Sequence, residues 1–242
     1  MNTKNFIKNP LVPTNKDIKP LKAYELWAGT YDNEYENLML YFDGLLFEEF
    51  LTKVNLNGKK ILDFGCGTGR HWKKLLERNP IQLVGCDISK SMMEKLKEKY
   101  PDSETYVLQN NKLDFLDDNS FDFIISTLVI AHIPDIADIL KEWNRLLKKD
   151  GEIFITDFHP EALRKGAKRT FKKNGKTITI KNYIYPVEKL EYMFSTLEFS
   201  VINRNEKIVN EDVKEFYVKK NALNIYEEYK NVPMIYSLHL VK

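Results

Sequence analysis

The stretch of sequence that decides the fold runs from residue 61 to residue 70 and reads Ile-Leu-Asp-Phe-Gly-Cys-Gly-Thr-Gly-Arg. Its first four residues predict a buried strand, and the three glycines that follow predict a tight turn into a helix over residues 69–78. Glycine lets the backbone approach a ligand that any Cβ would keep away, and the first helical turn directs unpaired N–H groups at that ligand. The stretch therefore predicts a ligand site where the strand meets the helix.

An acidic residue follows at the spacing expected for a nucleoside site. A second strand is predicted over residues 82–86, and Asp87 ends it, 22 positions after Gly65. Rossmann-type domains place an acid about 20 residues beyond the glycine-rich loop, where its carboxylate accepts hydrogen bonds from the ribose hydroxyls. The alternative is an ordinary solvated acid at a strand end. The spacing favours a ligand that contains a nucleoside, with Asp87 binding its ribose.

The glycine spacing distinguishes between nucleoside cofactors. A dinucleotide-binding loop reads G-x-G-x-x-G, and its third glycine allows strand and helix to pack closely around a pyrophosphate. Here the loop reads G-x-G-x-G, and Arg70 stands where that third glycine would be. A dehydrogenase is therefore disfavoured, and a different nucleoside cofactor is expected.

Five segments, in order, resemble the motifs of one enzyme family. The glycine-rich segment resembles motif I of the class I S-adenosylmethionine-dependent methyltransferases, and residues 84–89 resemble their acidic second motif. Residues 116–126 resemble the stretch leading into their fourth strand, and residues 132–135 and 146–152 follow in family order. The resemblance covers roughly residues 20–160. It implies an enzyme that uses S-adenosylmethionine, releases S-adenosylhomocysteine and methylates a nitrogen or oxygen of a small molecule.

The resemblance also assigns cofactor-binding residues to this sequence. They lie in the predicted N-terminal helix, in the glycine-rich loop and at the strand ends: Tyr24, Trp27, Tyr31, Asp63, Gly65, Cys66, Gly67, Asp87, Ile88, Gln109, Asn110 and Thr127. Ile88 is expected to pack against the adenine. The family often places an acid after the third strand to receive the adenine amino group, whereas this sequence has Gln109 and Asn110, whose amide oxygens can accept that bond. For Asp63 two roles remain open, an acid bridged by the loop to the methionyl ammonium or a structural carboxylate.

Three residues are candidates for contact with the transferring methyl or the acceptor: Tyr31, His132 and His159. Trp27, Tyr31 and Asp32 form W-x-x-x-Y-D, which resembles a signature of small-molecule methyltransferases whose tyrosine lies near the sulfonium as a cation–π partner. An ordinary amphipathic helix explains the same aromatic spacing. The resemblance places His132 beside the methyl, where an imidazole with a pKa of about 6.5 could deprotonate the nucleophile. Otherwise His132 is a loop histidine bonded to the backbone, and His159, after the fifth strand, is a second candidate for substrate contact.

The predicted elements alternate between strands and helices, which implies right-handed crossovers and a parallel sheet. We expect an α/β fold, a Rossmann-like three-layer sandwich with seven mostly parallel strands and, as in the resembled family, an antiparallel last strand. Helical patterns at residues 23–31 and 38–54 precede the first strand and predict an N-terminal helical cap. Asn174 and Gly175, between alternating residues, predict a type I′ β-hairpin that we expect to form a lid beside the cofactor.

The expected domain organisation has two parts. Residues 1–20, rich in Asn, Lys and Pro, predict an extended arm, and residues 21–242 predict a single methyltransferase domain with a lid insertion at 160–186. The other elements that the patterns predict are strands at 104–108, 121–126, 152–157, 200–208 and 234–241 and helices at 90–99, 136–147, 187–196 and 211–219.

A run of basic residues spans the predicted hairpin. Residues 164–181 contain eight lysines and arginines and no acid. This pattern is typical of an electropositive lid for an anionic substrate or for RNA phosphates, or of a solvated hairpin edge that lysines protect from aggregation. The functional alternatives are an RNA (tRNA) methyltransferase that uses the hairpin, and a non-catalytic S-adenosylmethionine-binding protein. A small-molecule acceptor is preferred because no appended RNA-binding module is visible.

Composition and charge exclude several other classes. With 43% hydrophobic and 30% charged residues and a net charge of +2, the 242-residue chain matches neither a disordered nor a fibrous protein. Cys66 and Cys86 are expected to be reduced packing residues, and without a Cys/His cluster no metal site is expected. No signal peptide is apparent, and the longest apolar run, 123–133, is too short to cross a bilayer. We expect a cytoplasmic monomer or homodimer that does not bind membranes.

Overall fold

A computed structural model describes residues 17–34, 36–109 and 112–242 of the chain. Its main sheet has seven strands in the order β3-β2-β1-β4-β5-β9-β8. These strands are β1 (Lys60–Phe64), β2 (Gln82–Asp87), β3 (Glu104–Val107), β4 (Phe121–Thr127), β5 (Leu147–Phe158), β8 (Ser200–Ile208) and β9 (Pro233–Val241). A separate hairpin consists of β6 (Thr170–Lys173) and β7 (Lys176–Thr179).

Strand directions confirm the predicted topology. The strands β1 to β5 pair in parallel, whereas β9 runs antiparallel to both of its neighbours, β5 and β8. The α/β fold with a mostly parallel seven-stranded sheet and an antiparallel last strand is therefore the one expected from the sequence.

Helices cover both faces of this sheet. In the described part of the chain they are α1 (Pro20–Trp27), α2 (Leu38–Leu51), α3 (Trp72–Leu76), α4 (Lys90–Lys99), α5 (Ala137–Leu146), α6 (Pro160–Lys165), α7 (Val187–Ser195), α8 (Lys214–Val218) and α9 (Leu223–Tyr229). Successive residues of β1 point to opposite layers: Ile61 packs in one apolar cluster with Phe47 of α2, and Leu62 in another with Trp143 of α5. Because both faces are buried, β1 carries apolar residues on both of its sides instead of on one.

The glycine-rich segment turns as predicted, but the helix after it starts later. Gly65, Gly67 and Gly69 have φ between +53° and +76°, the left-handed region that glycine adopts without strain. A residue with positive φ cannot continue a right-handed helix. The predicted helix over 69–78 is therefore shortened to α3, which begins at Trp72.

Helix α1 and the β6–β7 hairpin pack against each other, and we call these three elements the cap. The rings of Trp27 and Phe171 stack with centroids 4.8 Å apart and planes 9° apart. Ile18 forms a β-bridge with Ile180, so the backbone before α1 adds to the edge of the hairpin. These residues belong to a third apolar cluster, separate from the two that flank the main sheet.

The hairpin has the predicted turn. Asn174 and Gly175 have φ of +50° and +71°, and positive φ at both central residues defines a type I′ turn. The turn joins β6 to β7 in antiparallel register, from Thr170 opposite Thr179 to Lys173 opposite Lys176. The predicted hairpin insertion is thus confirmed.

Several bounds differ from the predicted ones. Helix α1 ends at Trp27, and Tyr31–Asn33 form a separate 3₁₀ turn instead of completing the helix. Helices α6 and α9 were not predicted from the sequence because each is too short to show helical periodicity. The predicted arm lies outside the described residues as far as position 16. Within the described ranges, no helix combines the length and apolar character needed to span a bilayer.

Candidate functional site

The predicted cofactor residues meet at the carboxyl edge of the main sheet. Strands β1, β2 and β4 are parallel neighbours, so the residues that follow them share one edge, where open α/β sheets bind ligands. The glycine-rich loop follows β1, Asp87 ends β2, and Thr127 ends β4 in register with Thr156 of β5. Residues distant in the sequence therefore form one continuous surface.

Asp87 is oriented by two backbone donors. Its Oδ2 accepts a hydrogen bond from the Gly67 N–H at 2.8 Å, and its Oδ1 accepts one from the Ser89 N–H at 2.8 Å. Burial raises the pKa of the Asp87 carboxyl. A carboxylate has about four acceptor positions, so both oxygens retain a lone pair for a ribose hydroxyl. A Cβ built on Gly67 would meet no atom within 4 Å, which leaves open space beside this carboxylate. The residues present fit a nucleoside cofactor.

The predicted adenine residues lie beside Asp87. Ile88 is half-buried against the apolar cluster that contains Trp143. Gln109 is exposed just after β3, the neighbour of β2. Asn110 lies outside the described residues, so its role stays a prediction.

Asp63 and Cys66 lie beneath the loop. Asp63 Oδ2 accepts a hydrogen bond from the Trp72 indole N–H at 2.8 Å, and burial together with the nearby Asp87 charge raises the pKa of Asp63 to about 7. This contact favours the structural role for Asp63. The Cys66 N–H donates to the Cys86 carbonyl oxygen at 3.0 Å, and both cysteines are free and buried.

The cap lies over this edge through two acidic side chains. Glu25 accepts hydrogen bonds from the Ser89 hydroxyl at 2.8 Å and from the Ser91 N–H at 3.1 Å, at the start of α4. Asp32 accepts a 2.6 Å hydrogen bond from the hydroxyl of Thr68 in the glycine-rich loop. These contacts hold the N-terminal segment against both the loop and the strand end that carries Asp87.

The aromatic residues of the N-terminal segment form one cluster, in which Tyr24 stacks on Trp27 and Tyr31 meets Trp27 edge to face. Trp27 lies with its ring centroid 5.8 Å from that of Tyr24 and 4.8 Å from that of Tyr31. The Trp27 indole N–H donates to Glu34 at 3.0 Å. The structure therefore brings together all three aromatic residues that the sequence pattern singled out.

A buried arginine joins the cap to the sheet, and sequence reasoning did not select it. Arg169 is 5% exposed and pairs with Asp157 at the end of β5, which is 1% exposed, at an Nη2–Oδ1 distance of 2.9 Å. Its Nη1 donates to the Leu128 carbonyl at 2.7 Å and to the Tyr24 hydroxyl at 3.0 Å, and it also contacts His132. Nothing in the basic run of residues 164–181 distinguishes this arginine, since only its strand neighbours determine which side it faces.

His132 lies in this network as a neutral imidazole. Its Nδ1 is 3.3 Å from the Lys181 carbonyl oxygen, which can only accept, so Nδ1 carries the proton. Its Nε2 then accepts a 2.8 Å hydrogen bond from the Tyr24 hydroxyl. Burial, reinforced by the Arg169 charge, lowers the pKa of His132 well below its usual value. The expected pKa near 6.5 is therefore wrong for this histidine, which is a weaker base than the sequence suggested.

His159 is not brought to the same place. Its Nδ1 accepts a 3.2 Å hydrogen bond from the Glu161 N–H and caps the start of α6, while its Nε2 lies 3.4 Å from Glu206 of β8. It does not belong to the wall of the cavity described below. These contacts give His159 a structural role in the fold.

A second buried acid, also absent from the sequence-based candidates, stands under the loop. Asp43 of α2 is fully buried and accepts hydrogen bonds from Arg70, from His71 at 2.8 Å and from the Thr156 hydroxyl. Burial opposes its ionisation, but Arg70 and His71 lower the pKa of Asp43. Arg70, which stands at the third-glycine position, thus bonds to Asp43 of α2.

A cavity of about 930 Å³ lies between the cap, the start of α2 and helix α8. Its wall includes Tyr24, Tyr31 and Arg169 on the side of the cofactor residues and Phe216 on the far side. The glycine-rich loop and Asp87 do not line it. The site therefore has two compartments: the strand-end surface around Asp87, and an adjoining cavity of the size that holds small molecules.

Comparisons with known proteins agree with this geometry. The family model described as "Methyltransferase domain" matches residues 62–155. An uncharacterized methyltransferase of Anoxybacillus flavithermus is 32% identical over 195 residues, which cover 75% of this chain and 90% of the relative. An uncharacterized protein of Haemophilus influenzae is 32% identical over 113 residues, and there the match spans only 44% of either protein.

Solved structures share the fold. An S-adenosylmethionine-dependent methyltransferase from Mesorhizobium loti superposes with a TM-score of 0.61 at 17% identity, over 78% of this chain and 93% of that protein. The structure of DhpI in complex with SAH superposes with a TM-score of 0.60 at 17% identity, over 91% and 93% of the two chains. Motifs, fold and relatives agree that this chain belongs to the class I S-adenosylmethionine-dependent methyltransferases.

Proposed function

We propose that this enzyme transfers the methyl group of S-adenosylmethionine to a nitrogen or oxygen atom of a small molecule bound in the cavity under the cap. The observation that carries the proposal is the cavity itself. It is enclosed by the cap and lies directly beyond Tyr24 and Tyr31, next to the cofactor surface. A volume of about 930 Å³ suits a small acceptor.

The cofactor-binding roles follow from the strand-end geometry. Asp87 would accept hydrogen bonds from the two ribose hydroxyls, and Ile88 would pack against the adenine beside Gln109. The open space at Gly67 would receive the methionyl part of the cofactor close to the loop backbone. When bound, S-adenosylmethionine supplies a methyl group already activated by its sulfonium.

The remaining task of the protein is to align the acceptor and exclude water. Tyr24 and Tyr31 would form the wall between the two compartments, and the negative face of an aromatic ring favours a nearby cation. Alignment of this kind lowers a barrier by roughly 7–11 kcal/mol. Neutral His132 would orient the Tyr24 hydroxyl and accept a proton only from an acidic nucleophile, because its pKa is lowered by burial and by Arg169.

The alternative of an RNA substrate depends on the basic run at 164–181. The basic side chains of this run do not all lie on the same side of the protein. Arg169 is turned inward to Asp157, and Lys173 donates to the Leu26 carbonyl oxygen at 3.0 Å. Lys168 and Lys172 line the cavity. A small acceptor can contact charges that line a cavity, whereas binding of an RNA backbone requires positive charges on one outer surface.

The first test is calorimetric titration with S-adenosylhomocysteine. Asp87→Ala should raise its Kd by about 100-fold, because each charge-assisted hydrogen bond to the ribose contributes about 1.5–3 kcal/mol. Asp114→Ala, a change at an exposed acid, is the matched control and should leave the Kd unchanged. Unaltered binding by Asp87→Ala would show that the ribose assignment is wrong.

The second test identifies the acceptor class. The enzyme is incubated with methyl-tritiated S-adenosylmethionine and either the small-molecule fraction of a cell extract or purified tRNA, with Asp87→Ala as the inactive control. Label should enter the small-molecule fraction alone. Label that appears in tRNA with the intact enzyme, and not with the variant, would favour the RNA alternative instead.

A further inference from the structure

The wall of the cavity has an unequal distribution of charge. Three lysines and one arginine line it, whereas the described wall contains two acids: Lys168, Arg169, Lys172, Lys220, Glu34 and Glu36. Asp157, behind the wall, pairs with Arg169. The three lysines come from the hairpin region and from the end of α8.

Two features that could attract a cationic acceptor, Glu34 and Trp27, are already engaged within the protein. Glu34 accepts hydrogen bonds from the Trp27 indole N–H at 3.0 Å and from the Asn37 amide at 3.3 Å, one on each carboxylate oxygen. The ring of Trp27 stacks with the rings of Tyr24 and Phe171, and Trp27 is 2% exposed. An aromatic cage for an ammonium needs open ring faces, and this ring offers none.

Lys172 and Lys220 bring two positively charged side chains to the same cavity wall from different elements. Lys220 is half-buried and donates to the Glu36 carbonyl oxygen at 2.7 Å. Burial lowers the pKa of Lys220, the charges of Glu36 and Glu34 oppose this, and the charge of Lys172 lowers the pKa further. Among the described residues, no carboxylate lies within 4.0 Å of the Lys172 ammonium. An anion placed between these two ammonium groups would be attracted by both charges.

We infer that the methyl acceptor is an amphipathic anion, whose carboxylate or phosphate group binds between Lys172 and Lys220 while its apolar body packs on Phe158 and Phe216. The inference rests on the proposed function, since it assigns a chemical class to the acceptor of that same cavity. Both aromatic side chains belong to the cavity wall. The anionic group then lies at the lysine side, and the opposite end of the acceptor points towards Tyr24.

The test compares probes with the same tail and different head groups. Binding of 4-phenylbutyrate, 4-phenylbutyl phosphate, methyl 4-phenylbutyrate and 4-phenylbutylamine is measured by calorimetry on the full chain saturated with S-adenosylhomocysteine. The two anions should bind at least tenfold more tightly than the neutral ester and the amine. Lys172→Met and Lys220→Met keep the aliphatic stem and should each weaken binding of the anions by about tenfold. Lys176→Met, at an exposed turn position outside the cavity wall, should change nothing.

The outcomes separate this inference from the proposed function. S-adenosylhomocysteine binding in every variant shows that the cofactor site is intact, and its absence in the unmodified protein counts against the proposed function itself. With that site intact, tighter binding of the amine, equal binding of all four probes, or no binding of either anion would overturn the inference. Equal losses in Lys176→Met and Lys172→Met would also overturn it, because a general charge effect would then explain the preference.

Discussion

Two buried sets of residues in this protein use the same three side-chain types for different purposes. Asp43, Arg70 and His71 form one set under the glycine-rich loop. Asp157, Arg169 and His132 form the other set between the sheet and the cap. In each set a buried carboxylate pairs with an arginine, and in each set burial and the arginine charge lower the pKa of the histidine.

The two sets differ in what they join. In the first set, Arg70 and His71 are neighbours in the sequence, and their partner Asp43 also bonds to Thr156 of the sheet. This set fixes the glycine-rich loop to the body of the domain. In the second set, Arg169 comes from the segment before the hairpin and bonds to groups on three other elements, including Tyr24. The comparison indicates that two neighbouring side chains join the loop to α2, whereas Arg169 alone supplies the positive charge of the second set.

The largest effect is expected from Arg169→Ala. Loss of the guanidinium leaves the Asp157 carboxylate buried without its partner, which costs about 3–5 kcal/mol of the free energy of unfolding. Urea denaturation followed by circular dichroism measures this change. Lys168→Ala, at the exposed preceding residue, is the control and should alter stability by less than about 0.5 kcal/mol. A loss below about 1 kcal/mol in Arg169→Ala would mean that the cap does not depend on this ion pair.

A smaller, pH-dependent effect is expected from His71→Gln. Burial, with the Arg70 charge, lowers the pKa of His71 to about 4, so the folded state binds fewer protons than the unfolded state below an unfolded pKa of about 6.5. Stability is therefore lost as the pH falls from about 6.5 to 4, by up to about 3 kcal/mol. Asp63, with its raised pKa of about 7, acts in the opposite direction.

The difference in free energy of unfolding between the unmodified protein and His71→Gln isolates the contribution of this histidine. Free energies of unfolding of the unmodified protein and of His71→Gln, measured at several pH values between 4 and 7, should converge as the pH falls. Parallel curves would show that His71 is not held neutral by its surroundings. The two buried Asp-Arg-His sets would then differ in the protonation of their histidines.

The smallest effect is expected from a pair of glycine substitutions. Gly175→Ala places a side chain at a φ of +71° in the hairpin turn and should cost about 1 kcal/mol. Gly44→Ala, in α2 where a Cβ meets no atom within 4 Å, should stabilise the protein by about 0.5–1 kcal/mol. Hydrogen exchange should show faster opening of β6 and β7 in Gly175→Ala alone. Uniform acceleration across the main sheet would indicate that the cap and the sheet unfold together.

Much of the fold could be predicted from the sequence because its signals are local. The left-handed glycines at 65, 67 and 69 specify a turn, and Asn174 with Gly175 specifies a hairpin, through backbone preferences that need no distant partner. The parallel sheet then follows from alternation and from the handedness of crossovers, whereas the antiparallel last strand was expected from the family resemblance. Short helices such as α6 and α9 escaped prediction because one or two turns show no periodicity.

The sequence by itself therefore determined the parallel α/β sheet, the glycine turn after β1 and the placement of Asp87 at a strand end. Only the tertiary structure decided that Arg169 faces inward, that Asp43 and Asp157 are buried, and that His132 is a neutral acceptor. Arg169 and Tyr24 are 145 positions apart, and Asp43 and Thr156 are 113 apart. The orientation and pKa of such groups depend on burial and on charges that distant segments supply, and a local pattern of residues contains neither.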